Sequence, residues 1–249
     1  MTAEYVFGIH AVEAALAEGA GRCRALWVQA GPGNARLERL CGQARAAGIR
    51  IESVPRRALD ELVGGARHQG VVVEMHARGP GNEAGLAELL GTLAEPPLLL
   101  VLDGVQDPHN LGACLRSADA AGVHGVIVPK DRAAGLTPVV RKVACGAAET
   151  VPLFTVTNLA RTLRSLKDAG VWIYGAAGEA EQSVYGLDLH GPVALVLGGE
   201  GKGLRRLTRE LCDGLARIPM AGQVESLNVS VAAGILLFEA RRQRLAAGR

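Results

Sequence analysis

The chain has 249 residues and a net charge of only +2, with hydrophobic residues at 49% and aromatic ones at 3%. That is length for one large domain or two modest ones around a sizeable core. It shows no basic tail for a nucleic-acid partner, and too few rings for a surface that stacks successive unpaired bases.

No apolar run reaches the roughly eighteen residues of a membrane span. The start, Met1 to Tyr5, lacks the basic and apolar regions of a signal peptide, so the expected location is the cytoplasm, with no membrane partner. Five cysteines (Cys23, Cys41, Cys114, Cys145 and Cys212) stand singly, with no C-x-x-C spacing. A disulfide framework or zinc knuckle needs clustering, so they read as buried or half-buried thiols of a reducing compartment. The six histidines form no ligand pattern either, and no metal is expected.

In chain order, residues 8–18 carry an apolar stripe at helical spacing, Ile9, Val12 and Leu16, which ends at Gly19. Residues 24–29 (RALWVQ) read as a strand, 35–47 as a helix stopped by Gly48, and 49–54 as a second strand. Pro55 suits the first turn of a short helix, and 71–75 closes the unit as a strand. This order predicts a small α/β domain over residues 1–76, where nine arginines face eight acidic residues. Residues 77–85 begin Ala-Arg-Gly-Pro-Gly-Asn, follow neither apolar period and are rich in breakers, so they read as a linker.

The second domain is predicted over 86–249. A helix from Leu86 is followed by short aliphatic runs at 98–102 (LLLVL), 125–128 (GVIV), 151–155, 171–176 (VWIYGA) and 193–197 (VALVL). Continuous rather than alternating runs imply strands buried on both faces, hence a parallel sheet with helices on each side. Ligands of such sheets bind beyond the carboxyl ends of the strands, which singles out the loops after Leu102, Ala176 and Leu197.

Three segments there carry chemistry. In 102–121 (LDGVQDPHNLGACLRSADAA) a buried strand ends at Asp103 and a helix starts near Asn110, with Arg116 six residues on. In 195–220 a strand runs into Gly198-Gly199-Glu200-Gly201-Lys202-Gly203 and a basic helix. Glycines allow backbone to approach a ligand, but Gly203 follows Lys202, so the hydroxyl of a Walker A loop is missing. A dinucleotide fingerprint would open the first βαβ unit rather than follow a late strand. In 218–238, Ser226-Leu227-Asn228 leads into a helix whose Ser230, Ala233 and Gly234 allow close packing, internally or against a second subunit. Taken singly, Asn110 and Ser226 could be helix caps and Arg116 a solvated charge.

Together, in this order and spacing, the three segments resemble the motifs of the SpoU (TrmH) family of RNA ribose 2′-O-methyltransferases, in the SPOUT class. FGIHAVEAAL near the start and HQGVVVE from His68 are similar to the N-terminal domain of its 23S rRNA (guanosine-2′-O-)-methyltransferase branch, a ribosomal-protein-like RNA-binding fold. The resemblance implies a catalytic domain with a trefoil knot, S-adenosylmethionine as cofactor, and a homodimer with active sites at its interface. It assigns catalysis to Asn110, Arg116, Glu200, Ser226 and Asn228, and the cofactor pocket to Ala176, Leu197, Gly198, Gly199, Ile218, Met220 and Leu227.

A guanidinium is effectively never deprotonated. Arg116 is therefore expected to grip a phosphate and steady alkoxide charge, oriented by Asn110, with Glu200 holding a second contact. RNA contacts are expected from Lys202, Arg205 and Arg206, with Arg209 equally an ordinary helix charge, and from Arg56 and Arg57 with the polar turn Arg67-His68-Gln69-Gly70. The implied partner is 23S rRNA or a pre-ribosomal particle, methylated at a guanosine expected in the peptidyl-transferase P loop. A tRNA ribose methyltransferase, which usually lacks such an N-terminal domain, and a non-catalytic rRNA-binding or assembly protein are the alternatives.

Overall fold

The computed structural model describes residues 3–31, 35–76, 79–201 and 203–247. Contacts divide the chain into two units, Met1–Arg78 and Gly79–Arg249.

The first unit runs β1 (Ala3–Phe7), α1 (Ile9–Gly19), β2 (Cys23–Gln29), α2 (Ala35–Ala46), β3 (Arg50–Val54), α3 (Arg56–Leu62) and β4 (Val71–His76). Its sheet has the order β1-β4-β2-β3, parallel only between β2 and β3. Val12 and Leu16 of α1, with Leu37, Leu40 and Ala44 of α2, pack on Leu26, Val71, Val73 and Met75 of the sheet. Strand β1 lies outside the expected elements, because five residues at a chain end carry little period; what makes it a strand is its ladder with β4.

The two stretches that resemble a known N-terminal domain meet each other. Gly8 N–H donates to Val71 O at 3.2 Å, and Ile9 N–H donates to Gln69 Oε1 at 3.0 Å, capping α1 from a distant turn. His68 is buried. Its Nδ1 accepts Gly70 N–H at 3.0 Å, which leaves the proton on Nε2, donated to Asp60 Oδ1 at 3.0 Å. In the turn expected to meet phosphates, His68 and Gly70 are thus buried and internally bonded, while Arg67 and Gln69 are exposed.

The second unit contains α4 (Glu83–Thr92), β5 (Leu98–Asp103), α5 (Pro108–Ala121), β6 (Gly125–Pro129), α6 (Pro138–Ala144), α7 (Ala147–Thr150), β7 (Leu153–Val156) and α8 (Leu159–Asp168). It continues with β8 (Trp172–Ala176), β9 (Gln182–Ser183), β10 (Val193–Gly198), α9 (Arg206–Leu211), β11 (Gly214–Arg217) and α10 (Val229–Ala247). The seven strands form one parallel sheet in the order β7-β6-β5-β10-β8-β11-β9.

Alternate residues of β5 feed two cores. Leu98, Leu100 and Leu102 face α5, α6, α7 and α10, while Leu99 and Val101 face α4 and α8. Each such leucine contributes roughly 1.5–3 kcal/mol on burial. The short strands β9 and β11 were not among the expected ones.

The linker expected through Gly85 ends earlier. Gly81 N–H donates to Leu153 O at 2.7 Å, Thr155 N–H returns to Gly81 O at 2.9 Å, and the Asn82 side chain caps α4 through Gly85 N–H. Those bonds fix residues 81–85 in the second unit, and Ala77 and Arg78 lie outside the described residues. Of the small residues of α10, Ala233 is fully buried, whereas Ser230 and Gly234 are half-buried, and a side chain at Gly234 would stand 3.7 Å from Ser117 Oγ of α5.

Candidate active site

The ends of β5, β10, β8 and β11 lie side by side. Gly198 is in register with Asp103, Val196 with Gly175, and Ala176 with Ala216. Leu197, Ala176 and Ile218 therefore come to one edge of the sheet although they are far apart in the chain.

A directed chain of hydrogen bonds crosses this edge. Ser230 donates to Asn228 Oδ1 through its N–H at 2.9 Å and its hydroxyl at 2.6 Å. Asn228 Nδ2 donates to Asn110 Oδ1 at 2.9 Å, and Asn110 Nδ2 donates to Glu200 Oε1. Every amide in the series has its polarity set by the one before, and the last acceptor is a carboxylate. Asn110 is buried in the first turn of α5, behind the Asp107 cap, whereas Glu200 and Asn228 are exposed.

Arg116 is not drawn into this cluster. Six residues along α5 place it about 9 Å further by helical rise and about 240° around the axis from Asn110. It is exposed, and its Nη1 donates to Cys145 Sγ at 3.8 Å. Asn110, itself set by Asn228, therefore orients Glu200 and not Arg116. Cys145 sits in a left-handed turn (φ 52°) after α6 and is exposed, unlike the buried or half-buried thiols expected. Burial pushes Cys114 up to about 12 and Cys212 up to about 11. Ser226 is exposed two residues before Asn228.

The glycine loop is held shut by backbone. A side chain at Gly198 would stand 2.0 Å from the Gly203 carbonyl carbon, and one at Gly199 would stand 2.4 Å from Gly104 O. Gly203 N–H donates to Gly199 O at 3.1 Å, and Gly199 N–H donates to Asp103 O at 3.0 Å. The missing side chains at Gly198 and Gly199 make room for neighbouring chain.

Sequence reasoning passed over Asp103. Its carboxylate, 0% exposed, accepts Arg205 N–H at 3.1 Å and Arg205 Nε at 2.5 Å. This latch closes the loop carrying Glu200 onto the end of β5, and it uses the arginine assigned to RNA. Asp103 at a strand end resembles an ordinary turn residue, and its partner is 102 positions away. Helix α9 begins only at Arg206, and Lys202 lies outside the described residues. Arg206 pairs with Glu210 at 2.6 Å, and Arg209 pairs with Glu179. In the first unit Arg57 pairs with Glu61 at 3.0 Å and Arg56 with Asp60 at 4.0 Å.

Ile218, directly after β11, and Leu227 are half-buried, and Met220 is exposed. Among the described residues no group of His, Cys, Asp and Glu could hold a metal ion, and no helix is long and apolar enough to cross a membrane.

A parallel sheet with its polar cluster beyond the carboxyl ends of β5 and β10 defines an α/β enzyme with its ligand edge at that end. Residues 97–238 match the model of the SpoU rRNA methylase family, and residues 5–80 match that of the RNA 2′-O ribose methyltransferase substrate-binding domain. The chain belongs to the SpoU rRNA methylase family.

It is 58% identical to the 23S rRNA (guanosine-2′-O-)-methyltransferase RlmB of Shewanella oneidensis, over 97% of this chain and 98% of that protein. It is 56% identical to the Pseudomonas putida protein of the same name, over 97% of both. Among solved structures, the AdoMet-bound rRNA methyltransferase from Sinorhizobium meliloti matches with a TM-score of 0.74 and 27% identity, over 96% of this chain and 87% of that one.

Proposed function

We propose that the chain transfers a methyl group from S-adenosylmethionine to the ribose 2′-hydroxyl of a guanosine in 23S rRNA, expected in the peptidyl-transferase P loop. The relatives that carry this name match it nearly end to end. The observation that carries the reading is the Asn110–Glu200–Asn228 cluster at the carboxyl edge of the sheet.

The residues at that edge suit the cofactor. Ile218, Met220 and Leu227 offer apolar surface to the faces of an adenine, while backbone groups around Ala176 and Gly198–Gly199 can read its edge; Leu197, expected in the same pocket, is buried in the core beneath it. When bound, it supplies a methyl group already activated on a sulfonium, so the chemistry needs no metal. Asn110 keeps one oxygen of Glu200 occupied as an acceptor. The exposed side of that carboxylate can take the hydrogen of the attacking hydroxyl, which makes the oxygen more nucleophilic. Arg116, which stands outside this cluster, has the planar fork to grip a phosphate of the RNA. Asn228 borders the same edge through Asn110, and the exposed Ser226, two residues before it, is assigned to complete the set.

The same reading gives the first unit, residues 1–76, the role of choosing RNA, and places the work in the cytoplasm. It also makes the enzyme a homodimer through the second unit. Val231, Phe238 and Leu245 of α10 are 50%, 50% and 55% exposed, and their spacing of seven lines them on one face, a stripe suited to a second copy. The test is a map of 2′-O-methylation on total RNA with and without the protein. A site on 23S rRNA is expected; a site confined to tRNA, or none, overturns the proposal.

A further inference from the structure

We propose that the turn Lys130-Asp131-Arg132, directly after β6, holds a phosphate of the RNA beside the reacting ribose. The proposal rests on the RNA substrate argued above and names a contact for it. The loops after β6, β5 and β10 are neighbours along the carboxyl edge, as the strands are in the sheet. Gly104 meets the other two loops: a side chain there would stand 3.8 Å from Arg132 O, and one at Gly199 would stand 2.4 Å from Gly104 O. Arg132 and Glu200 therefore lie in the loops on either side of Gly104.

The conformation of the turn points to a use for its arginine. Lys130 N–H donates to Val156 O at 2.8 Å, and Ala134 N–H donates to Val105 O at 2.9 Å. Between these anchors Arg132 has a φ of 59°. That left-handed backbone is open to glycine but strained for a residue with a Cβ, and strain of this kind collects at ligand clamps. No ion pair offsets it. Among the described residues neither Lys130 nor Arg132 has a carboxylate within 4.0 Å, the adjacent Asp131 included, and all three side chains are exposed. The arginines beyond the glycine loop each face a carboxylate: Arg205 meets Asp103, Arg206 meets Glu210 and Arg209 meets Glu179.

Two cations less one carboxylate leave the turn a net charge of +1, so it offers a local grip rather than a broad field. The Arg132 fork matches two phosphate oxygens, and Lys130 adds a point charge. Phosphate contacts set the register of a strand without reading its bases. This close to Glu200, such a contact decides which ribose hydroxyl reaches the carboxylate.

The test uses the full-length protein and a hairpin RNA cut from 23S rRNA, with affinity measured across a salt series. Arg132→Gly removes the fork and relieves the backbone. It should melt at or above the wild-type temperature, yet bind RNA about tenfold more weakly, the scale of one charge-assisted contact. Its slope of log affinity against log salt should be shallower by about 0.7–0.9, the loss of one phosphate contact. Arg132→Asn, which also accepts a left-handed φ, should give the same slope. Adding Lys130→Ala to Arg132→Gly should take the change to about 1.4–1.8 and spread methylation onto riboses next to the wild-type one. Arg164→Ala removes one exposed charge from α8 in the same unit and should leave the slope unchanged. S-adenosylmethionine affinity should stay at the wild-type value throughout. An unchanged slope in both Arg132 variants, or an equal change in Arg164→Ala, would overturn the turn as a phosphate site while leaving the RNA reading intact. A wild-type protein that bound no RNA would bring down both.

Discussion

Asp103→Asn tests how the glycine loop is held. The substitution keeps the shape and an acceptor for Arg205 N–H, but removes the charge that faces the guanidinium at 2.5 Å. Breaking a fully buried ion pair from one side costs about 3–5 kcal/mol. Here only the carboxylate is buried: the Arg205 side chain is 46% exposed, and water can replace part of what it loses. The cost falls to about 1.5–2 kcal/mol, the scale of one charged hydrogen bond, or about 3–8 °C in melting temperature for a unit of this size.

Glu200 sits between the two anchor points of the loop, Gly199 on Asp103 O and Arg205 on the carboxylate. A shift of about 1 Å in a reacting group costs on the order of 10²-fold in rate. The expected phenotype is therefore a kcat lower by about 10²-fold with little change in KM for RNA. The assay is transfer of labelled methyl from S-adenosylmethionine to a 23S fragment, beside calorimetric melting. Arg205→Ala should give the same profile, and the two together should not add, because they break one contact. If Arg205→Ala raised KM and flattened the salt dependence while melting normally, Arg205 would be an RNA contact and the latch argument would fail.

Arg116→Ala should leave cofactor affinity near wild type and lower turnover by roughly 10²–10⁴-fold; recovery of full activity in Arg116→Lys at raised pH would contradict the phosphate grip, since lysine has no fork. Phe238→Asp, in the middle of the exposed stripe of α10, should give a monomer by light scattering, and an intact dimer would exclude that face as the contact. Glu239 is buried, and a hydrogen bond from Arg242 holds its carboxyl below the ordinary value of 4.5 against the opposing effect of burial. A depressed folded value means stability that is complete above the unfolded value and lost as pH falls through the folded one. Glu239→Gln should thus flatten the acid limb of the melting curve below about pH 4.5, and an unchanged limb would show that Glu239 contributes nothing to it.

The aliphatic strands could be read from the chain because burial on both faces leaves runs such as Leu98–Asp103 and Val193–Gly198 unbroken. Strands β9 and β11 could not: Gln182–Ser183 and Gly214–Arg217 are too short for a period, and neighbours in the sheet rather than side chains make them strands. Asn110, Glu200 and Asn228 were picked out by resemblance, and no spacing rule joins residues 90 and 118 positions apart. Glycines 198 and 199 signalled a close approach but not what approaches. Only the fold reveals that it is the chain itself.

The amide chain through Ser230, Asn228 and Asn110 has a consequence for how a new molecule becomes competent. Asn228 directly precedes α10, the last helix in the order of elements, and α10 packs across α5, where Asn110 stands. Domains generally fold as units while the chain is still being made, so the sheet can form in an order that follows synthesis. The donor that sets Asn110, and through it Glu200, arrives only with the final helix. The aim of Glu200 therefore depends on a docked α10, and a molecule whose sheet is complete but whose α10 is undocked carries its carboxylate without the partner that aims it.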